Sequence, residues 1–249
     1  MSYQRKHNTG YILRICGIAA LGGILFGYDT AVISGAIEAL KTYFNLSPAE
    51  TGWAVSNVVI GCVVGAFAAG PLAARWGRKK ALMLAALLFT VSAVGAALAP
   101  TFTWFVIYRI IGGLAVGIAA TVSPMYMSEV SPKDMRGRAL SMQQFAIVFG
   151  QIVIFYVNFK IASLASEAWL VEMGWRWMFA SGVIPCILFC ILVFVIPESP
   201  RWNVMMGRDD QALAMLTKVS NAAHAQNLLK EIKDSLQQDQ QQQHRKLNY

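Results

Sequence analysis

Six apolar runs, each long enough to cross a bilayer, decide most of what this chain can fold into. A crossing helix needs about 20 predominantly apolar residues. The sequence supplies them at 12–36, 51–74, 81–99, 102–127, 139–159 and 177–197. Backbone in hydrocarbon must satisfy its own hydrogen bonds, so runs of this length read as helices. Only 14% of the 249 residues are charged, against about 25% in a soluble domain. The chain therefore reads as an all-α integral membrane protein.

The runs divide the chain. Residues 1–11 form a polar head with Arg5, Lys6 and His7. The first run lacks an A-x-A cleavage site and more spans follow it, so it reads as a retained helix and not a removed signal peptide. Residues 12–197 are the six-helix bundle and 198–236 read as short cytoplasmic helices. The tail at 237–249, rich in Gln, is expected to be disordered. Basic loops set orientation. Arg5, Lys6, Arg14, Arg75, Arg78, Lys79, Lys80, Lys133, Arg136, Arg138, Arg201 and Arg208 lie on one side and Lys41, Lys160 and Arg176 on the other, twelve against three. Both termini are thus expected in the cytoplasm. Trp53, Trp104, Trp169, Trp175 and Trp177 fall near span ends on the outer side, where an aromatic belt would sit.

Several function classes recede. The net charge of +8 lies in short clusters beside apolar runs, the pattern of a membrane protein and not of a nucleic-acid binder. Cys16, Cys62, Cys186 and Cys190 lie inside the runs without a C-x-x-C pair, so they read as small polarisable core residues and no metal or other cofactor is expected. His7, His224 and His244 lie in the polar ends. No nucleophile arrangement or phosphate loop points to an enzyme, and a channel is the weaker alternative to a carrier.

The charges inside the spans carry the sharper signal. An acid in hydrocarbon costs roughly 2.5–3.5 kcal/mol on insertion scales, so it has a partner or a task. Asp29, in Gly22-Gly23-Ile24-Leu25-Phe26-Gly27-Tyr28-Asp29, lies about seven residues from the outer end of span one; Arg109 lies about seven from the outer end of span four. At 1.5 Å per residue both sit roughly 10 Å deep, which invites an ion pair whose protonation would release the base. Arg109 snorkelling alone to the surface is the other reading, as is Asp29 simply near water at a helix end. Gly22, Gly23, Gly27 and Gly35 would let helices approach closely. In span five, Gln144, Gln151 and Asn158 recur every seven residues, nearly one face with about 20° of drift per heptad. Such amides suit a polyol such as a sugar in a watery cavity; they also suit helix–helix hydrogen bonding. Gly112, Gly113, Gly117 and Pro124 suggest that span four bends or rocks.

Taken together, the chain resembles the sugar porter family of the major facilitator superfamily. The residues that carry the likeness are Gly22-Gly23 with Phe26-Gly27-Tyr28-Asp29; Arg75-Trp76-Gly77-Arg78-Lys79; Arg109; Pro124-x-Tyr126-x-x-Glu129 with Arg136-Gly137; Gly174-Trp175-Arg176; and Pro197-Glu198-Ser199-Pro200-Arg201-Trp202. The resemblance implies that Asp29 is the proton-coupling acid and Arg109 its partner, that Gln144 and Gln151 contact sugar, and that Phe26 lines the same cavity. It implies a cytoplasmic gate of Arg75, Arg78, Glu129, Arg136, Arg138, Glu198 and Arg201. The position before Arg75, where the family often has an acid or amide, is Ala74, which removes one link of that gate.

The resemblance covers nearly all of the chain but only the amino-terminal six helices of a twelve-helix carrier. The expected function is transport of a monosaccharide, pentose or hexose, by proton symport across a bacterial inner membrane. A half carrier would need a carboxy-terminal half or a second copy, because its polar face otherwise meets lipid. The alternative is a truncated, transport-inactive membrane protein that at most binds sugar.

Overall fold

A computed structural model describes residues 7–164 and 166–247; Arg5 and Lys6 of the head lie outside them. The described residues hold six helical spans of the length and apolarity needed to cross a membrane. The first five are α1 (Thr9–Tyr43), α2 (Pro48–Trp76), α3 (Arg78–Leu98), α4 (Phe102–Val130) and α5 (Arg136–Leu164). The sixth, Glu167–Val195, is broken into α6 (Glu167–Trp169), a π-turn over Leu170–Gly174, α7 (Trp175–Ser181) and α8 (Val183–Val195). Three helices follow: α9 (Pro200–Met205), α10 (Asp209–Val219) and α11 (Ala222–Leu247).

Local chemistry sets the ends. Asn8 caps α1 by accepting the Tyr11 N–H, so the helix begins inside the polar head. Ser47 and Glu50 form a reciprocal capping box on α2, with Pro48 in its first turn, satisfying amides that would otherwise be orphaned. Gly77 ends α2 and starts α3 with φ +94°, a backbone region that side-chain-bearing residues disfavour. Two expectations are corrected here. Span one does not stop near residue 36 but continues to Tyr43, because Glu38 and Lys41 project from a helix already held by buried Ala36 and Leu40. The Gln-rich segment 237–243, expected to be disordered, runs as helix within α11; Gln is a good helix former, so polarity alone did not decide its state.

Small residues let the helices touch. A Cβ added at Gly61 or Gly65 of α2 would collide with α4 backbone, as would one at Gly113 or Gly117 with α2 backbone. Gly27 of α1 and Gly150 of α5 press backbone on backbone in the same way. The glycines of span four therefore serve close packing, and α4 runs as one helix through Pro124. The apolar core falls into two clusters. One surrounds Leu82, Val122, Tyr126 and Phe189 at the end of the bundle that carries the basic loops. The other surrounds Leu40, Phe105, Trp175 and Phe179 at the opposite end. Trp175 is fully buried, among Phe44, Phe105 and Tyr43, so it belongs to the core and not to an aromatic belt. Trp53, Trp104, Trp169 and Trp177 are exposed. The four cysteines are free thiols inside the bundle.

At the basic end a buried polar knot fastens the α2–α3 turn to the chain that leaves the sixth span. Arg78 donates Nε–H and a terminal N–H to the two oxygens of Glu129, at 2.9 and 2.7 Å. The two side chains are only 8% and 10% exposed. Ser199 Oγ donates to the same carboxylate. Glu198 accepts the backbone N–H groups of Arg78, Lys79 and Ser199. It thus caps α3 with a negative charge where the helix dipole favours one. Burial pushes the Glu198 carboxyl above its ordinary value, against those three N–H groups and the Arg78 charge. Further out, Lys133 of the α4–α5 loop pairs with Glu231 of α11, and Lys233 with Asp209.

This arrangement predicts unequal costs. Glu129→Gln leaves the buried Arg78 charge without its counter-ion and should cost about 3–5 kcal/mol, whereas Lys133→Gln, at an exposed pair, should cost under about 1 kcal/mol. Thermal unfolding of both variants in detergent checks the ranking. The folded chain binds the Glu198 proton more tightly than the unfolded chain. The stability contribution of Glu198 is thus complete below its ordinary value and falls as pH rises through the raised one. Glu198→Gln should flatten the pH dependence of the unfolding midpoint in that window.

Candidate functional site

Asp29 and Arg109 meet. A terminal N–H of Arg109 donates to Asp29 Oδ1 at 2.9 Å and to the Asp29 carbonyl at 3.2 Å. The Arg109 side chain is 1% exposed and that of Asp29 15%, so snorkelling is excluded. Arg109 also lies over the Phe179 ring, 5.6 Å from its centroid. A Cβ at Gly112, one turn on from Arg109, would clash with Ser92 Oγ and stand in ordinary contact, 3.4 Å, from Asp29 Oδ1, so this glycine serves the α3–α4 approach beside the pair. The two residues are not at matching distances from their helix ends, since α1 runs on fourteen residues past Asp29. Arg109 is seven from the start of α4. Both are nonetheless well inside the bundle.

The pair is incompletely satisfied. Arg109 Nε and its second terminal nitrogen, and Asp29 Oδ2, are buried without a hydrogen-bond partner. One edge of the guanidinium and one carboxylate oxygen thus face each other through a single side-chain bond.

The span-five amides separate along the helix. Asn158 is buried and donates to the Val32 carbonyl of α1 at 3.2 Å, so it serves helix contact. Gln151, one heptad earlier, is half-buried, and Gln144, two heptads earlier, is exposed. A drift of about 20° per heptad accounts for this progression: the row starts in the α1 contact and turns outward to an open flank. Phe26 of α1 is half-buried. Of the three residues Gln144, Gln151 and Phe26, Gln151 stands at the α1–α5 contact, its backbone nitrogen against Gly27. Sequence reasoning missed Gln143. It is 7% exposed with both amide atoms unpartnered and presses on Gly23. Its place could have been read from the helical period: Gln143, Ala146, Gly150 and Ile154 make the buried stripe of α5.

Of the seven predicted gate residues, Arg78, Glu129 and Glu198 form the buried knot. Arg136 reaches the end of α4 through the Ser128 carbonyl at 3.1 Å. Arg201, half-buried, contacts Ser235 Oγ of α11 at 3.5 Å. Arg75 and Arg138 are exposed and join no ion pair among the described residues. Ala74 takes part through its backbone, since its carbonyl accepts the Trp202 indole N–H at 2.8 Å. At the far end Arg176 stacks on Trp175 at 4.3 Å and donates to the Ala97 carbonyl, tying α3 to the sixth span.

Comparison with known proteins agrees with this architecture. A family model described as sugar (and other) transporter matches residues 15–248. The D-xylose-proton symporter of Escherichia coli (strain K12) is 43% identical over 93% of this chain and 52% of its own length. The arabinose-proton symporter of Bacillus subtilis (strain 168) is 41% identical over 95% of this chain and 51% of its own. A solved structure of the proton:xylose symporter XylE bound to 6-bromo-6-deoxy-D-glucose superposes with a TM-score of 0.92 at 42% identity. It covers 96% of this chain and 56% of that one. The chain thus spans about half the length of the curated relatives it matches. With six membrane helices in this order, a family match over most of its length and that superposition, the chain belongs to the sugar transporter family of the major facilitator superfamily.

Proposed function

We propose that the chain is the six-helix half of a proton-coupled monosaccharide carrier. It binds a pentose or hexose on the flank bordered by Gln144, Gln151 and Phe26, and couples binding to protonation of Asp29. The observation that carries this reading is the buried Asp29–Arg109 pair, with one carboxylate oxygen free. A proton on Asp29 cancels the attraction that holds α1 to α4 at that depth and leaves Arg109 seeking another acceptor. The relatives named as proton symporters of xylose and arabinose support the same substrate class.

The arrangement needs a second six-helix unit opposite the Gln144–Gln151 flank. Either a carboxy-terminal half or a second copy of this chain would supply it, so that the two units rock about a site near the midplane. Phe145, Ile152 and Phe159 of α5 are exposed, as are Val59, Val63 and Phe67 of α2, apolar surface that such a unit would cover. The Arg78–Glu129–Glu198 knot, with Arg136 and Arg201, stands at the proposed gate. By the positive-inside rule, the basic loops of that end support a cytoplasmic side for it and for both termini, with the bundle in a bacterial inner membrane.

Vesicles loaded with a pH dye test the reading. The chain together with its second unit should show sugar-driven proton uptake. Asp29→Asn should lose that uptake and keep sugar counterflow. Uptake unaffected by the change removes Asp29 from coupling, and sugar binding without flux in the unmodified protein would leave a binding module. Gln151→Ala should weaken sugar binding about tenfold, the worth of one hydrogen bond, measured by titration calorimetry.

A further inference from the structure

We infer that a small cavity beside Asp29 is a water site through which the proton reaches the carboxylate. It enters from the α3 and sixth-span side of α1, away from the sugar flank. The inference rests on Asp29 being the coupling acid. The cavity measures about 20 Å³ and is walled by Asp29 of α1, Phe89 and Ala93 of α3, and Gly182 and Cys186 of the sixth span, among others. One water needs about 10–15 Å³ of such space.

The hollow exists because three of its walls are small. Gly182 sits at the break between α7 and α8, where a Cβ would stand 3.2 Å from the Phe179 carbonyl and 3.4 Å from the Tyr28 ring. Ala93 and Cys186 leave the rest open. Tyr28 Oη and Ser181 Oγ, 2.7 Å apart, brace α1 against that break. The acceptor residue lines the cavity. Oδ1 is held by Arg109 while Oδ2 is buried and unpartnered. The terminal torsion of an Asp side chain is soft, so a small turn offers Oδ2 to the cavity.

The direction follows from helix geometry. Gly27 of α1 abuts Ile147 of α5. Two residues on, Asp29 points about 160° away from that contact, toward α4, α3 and the sixth span. The ionisable groups near it are Arg109 from α4, Tyr28 beside it on α1, Cys186 from α8 and Cys62 from α2; α3 presents Phe89 and Ala93, which do not titrate. The arriving proton comes from solvent. A hydronium in the cavity breaks one of its O–H bonds as an O–H bond forms at Oδ2. A neutral water remains, and the carboxyl loses its charge.

Infrared difference spectroscopy on the chain in lipid nanodiscs tests this. The carboxylic C=O band that disappears in Asp29→Asn belongs to Asp29. On transfer to D₂O its shift reports proton exchange at that site. Ala93→Val fills the cavity and should slow the exchange by at least about tenfold, while Cys186→Ala widens it and should not slow it. Cys186→Met fills the same space should Ala93→Val fail to fold. Unchanged exchange in the filled variants overturns the inference, as does the absence of any carboxylic band that Asp29→Asn removes. A chain that exchanges as expected but moves no sugar would keep the proton site and remove only the transport reading.

Discussion

An acid and a base held together inside a helix bundle organise this molecule, and the weakness of their bond is as informative as its existence. Two buried ion pairs can be compared directly. Arg78 and Glu129 meet as a fork, with two short bonds and further donors completing the carboxylate. Arg109 and Asp29 meet through one side-chain bond, with two guanidinium nitrogens and one carboxylate oxygen unpartnered. Desolvation penalises both pairs, but only the fork repays it with full hydrogen bonding. The first pair is built to stay. The second retains unsatisfied groups that a proton, a water or a rearrangement could satisfy.

Such a pair can exist only where helices approach closely enough to shut lipid and water out. Backbone-on-backbone packing at Gly27 and Gly150, and at Gly61 and Gly113, provides this. Small residues serve membrane helices in this way because no hydrophobic drive between them can substitute for dispersion contacts. Gly112 plays the same part against Ser92 of α3, beside the pair.

The six spans, the pairing of Asp29 with Arg109 and the motif-based family were legible in the sequence because each rests on a strong, local constraint. Long apolar runs have one solution in a bilayer, and isolated charges in them seek each other. What was not legible depended on angle or on tertiary context. The period of seven gathered Gln144, Gln151 and Asn158 on one face, yet only the packed position of α5 shows that the row turns from contact to open flank and that Gln143 takes the buried place. Trp175 looked like a belt residue because its neighbours in sequence are; its ring found a cavity between Phe44 and Phe105 instead. The cytoplasmic charges were expected to act as a set, but burial sorts them: the Arg78 fork is enclosed, while Arg75 and Arg138 are exposed.

Sequence order hides a further division, which runs through α1. Its Gly23–Gly27–Gly35 side lies against α5, and its Asp29 side faces α4, α3 and the broken sixth span. On the proposed function, sugar and proton therefore act on opposite sides of one helix. Two ligands so placed influence each other only through the states available to what separates them, and the influence is equal in both directions. Rotation or sliding of α1 is the motion that both would bias. A glycine-lined contact with α5 offers few side-chain ridges to resist it, and an ion pair with a single side-chain bond offers few bonds to break.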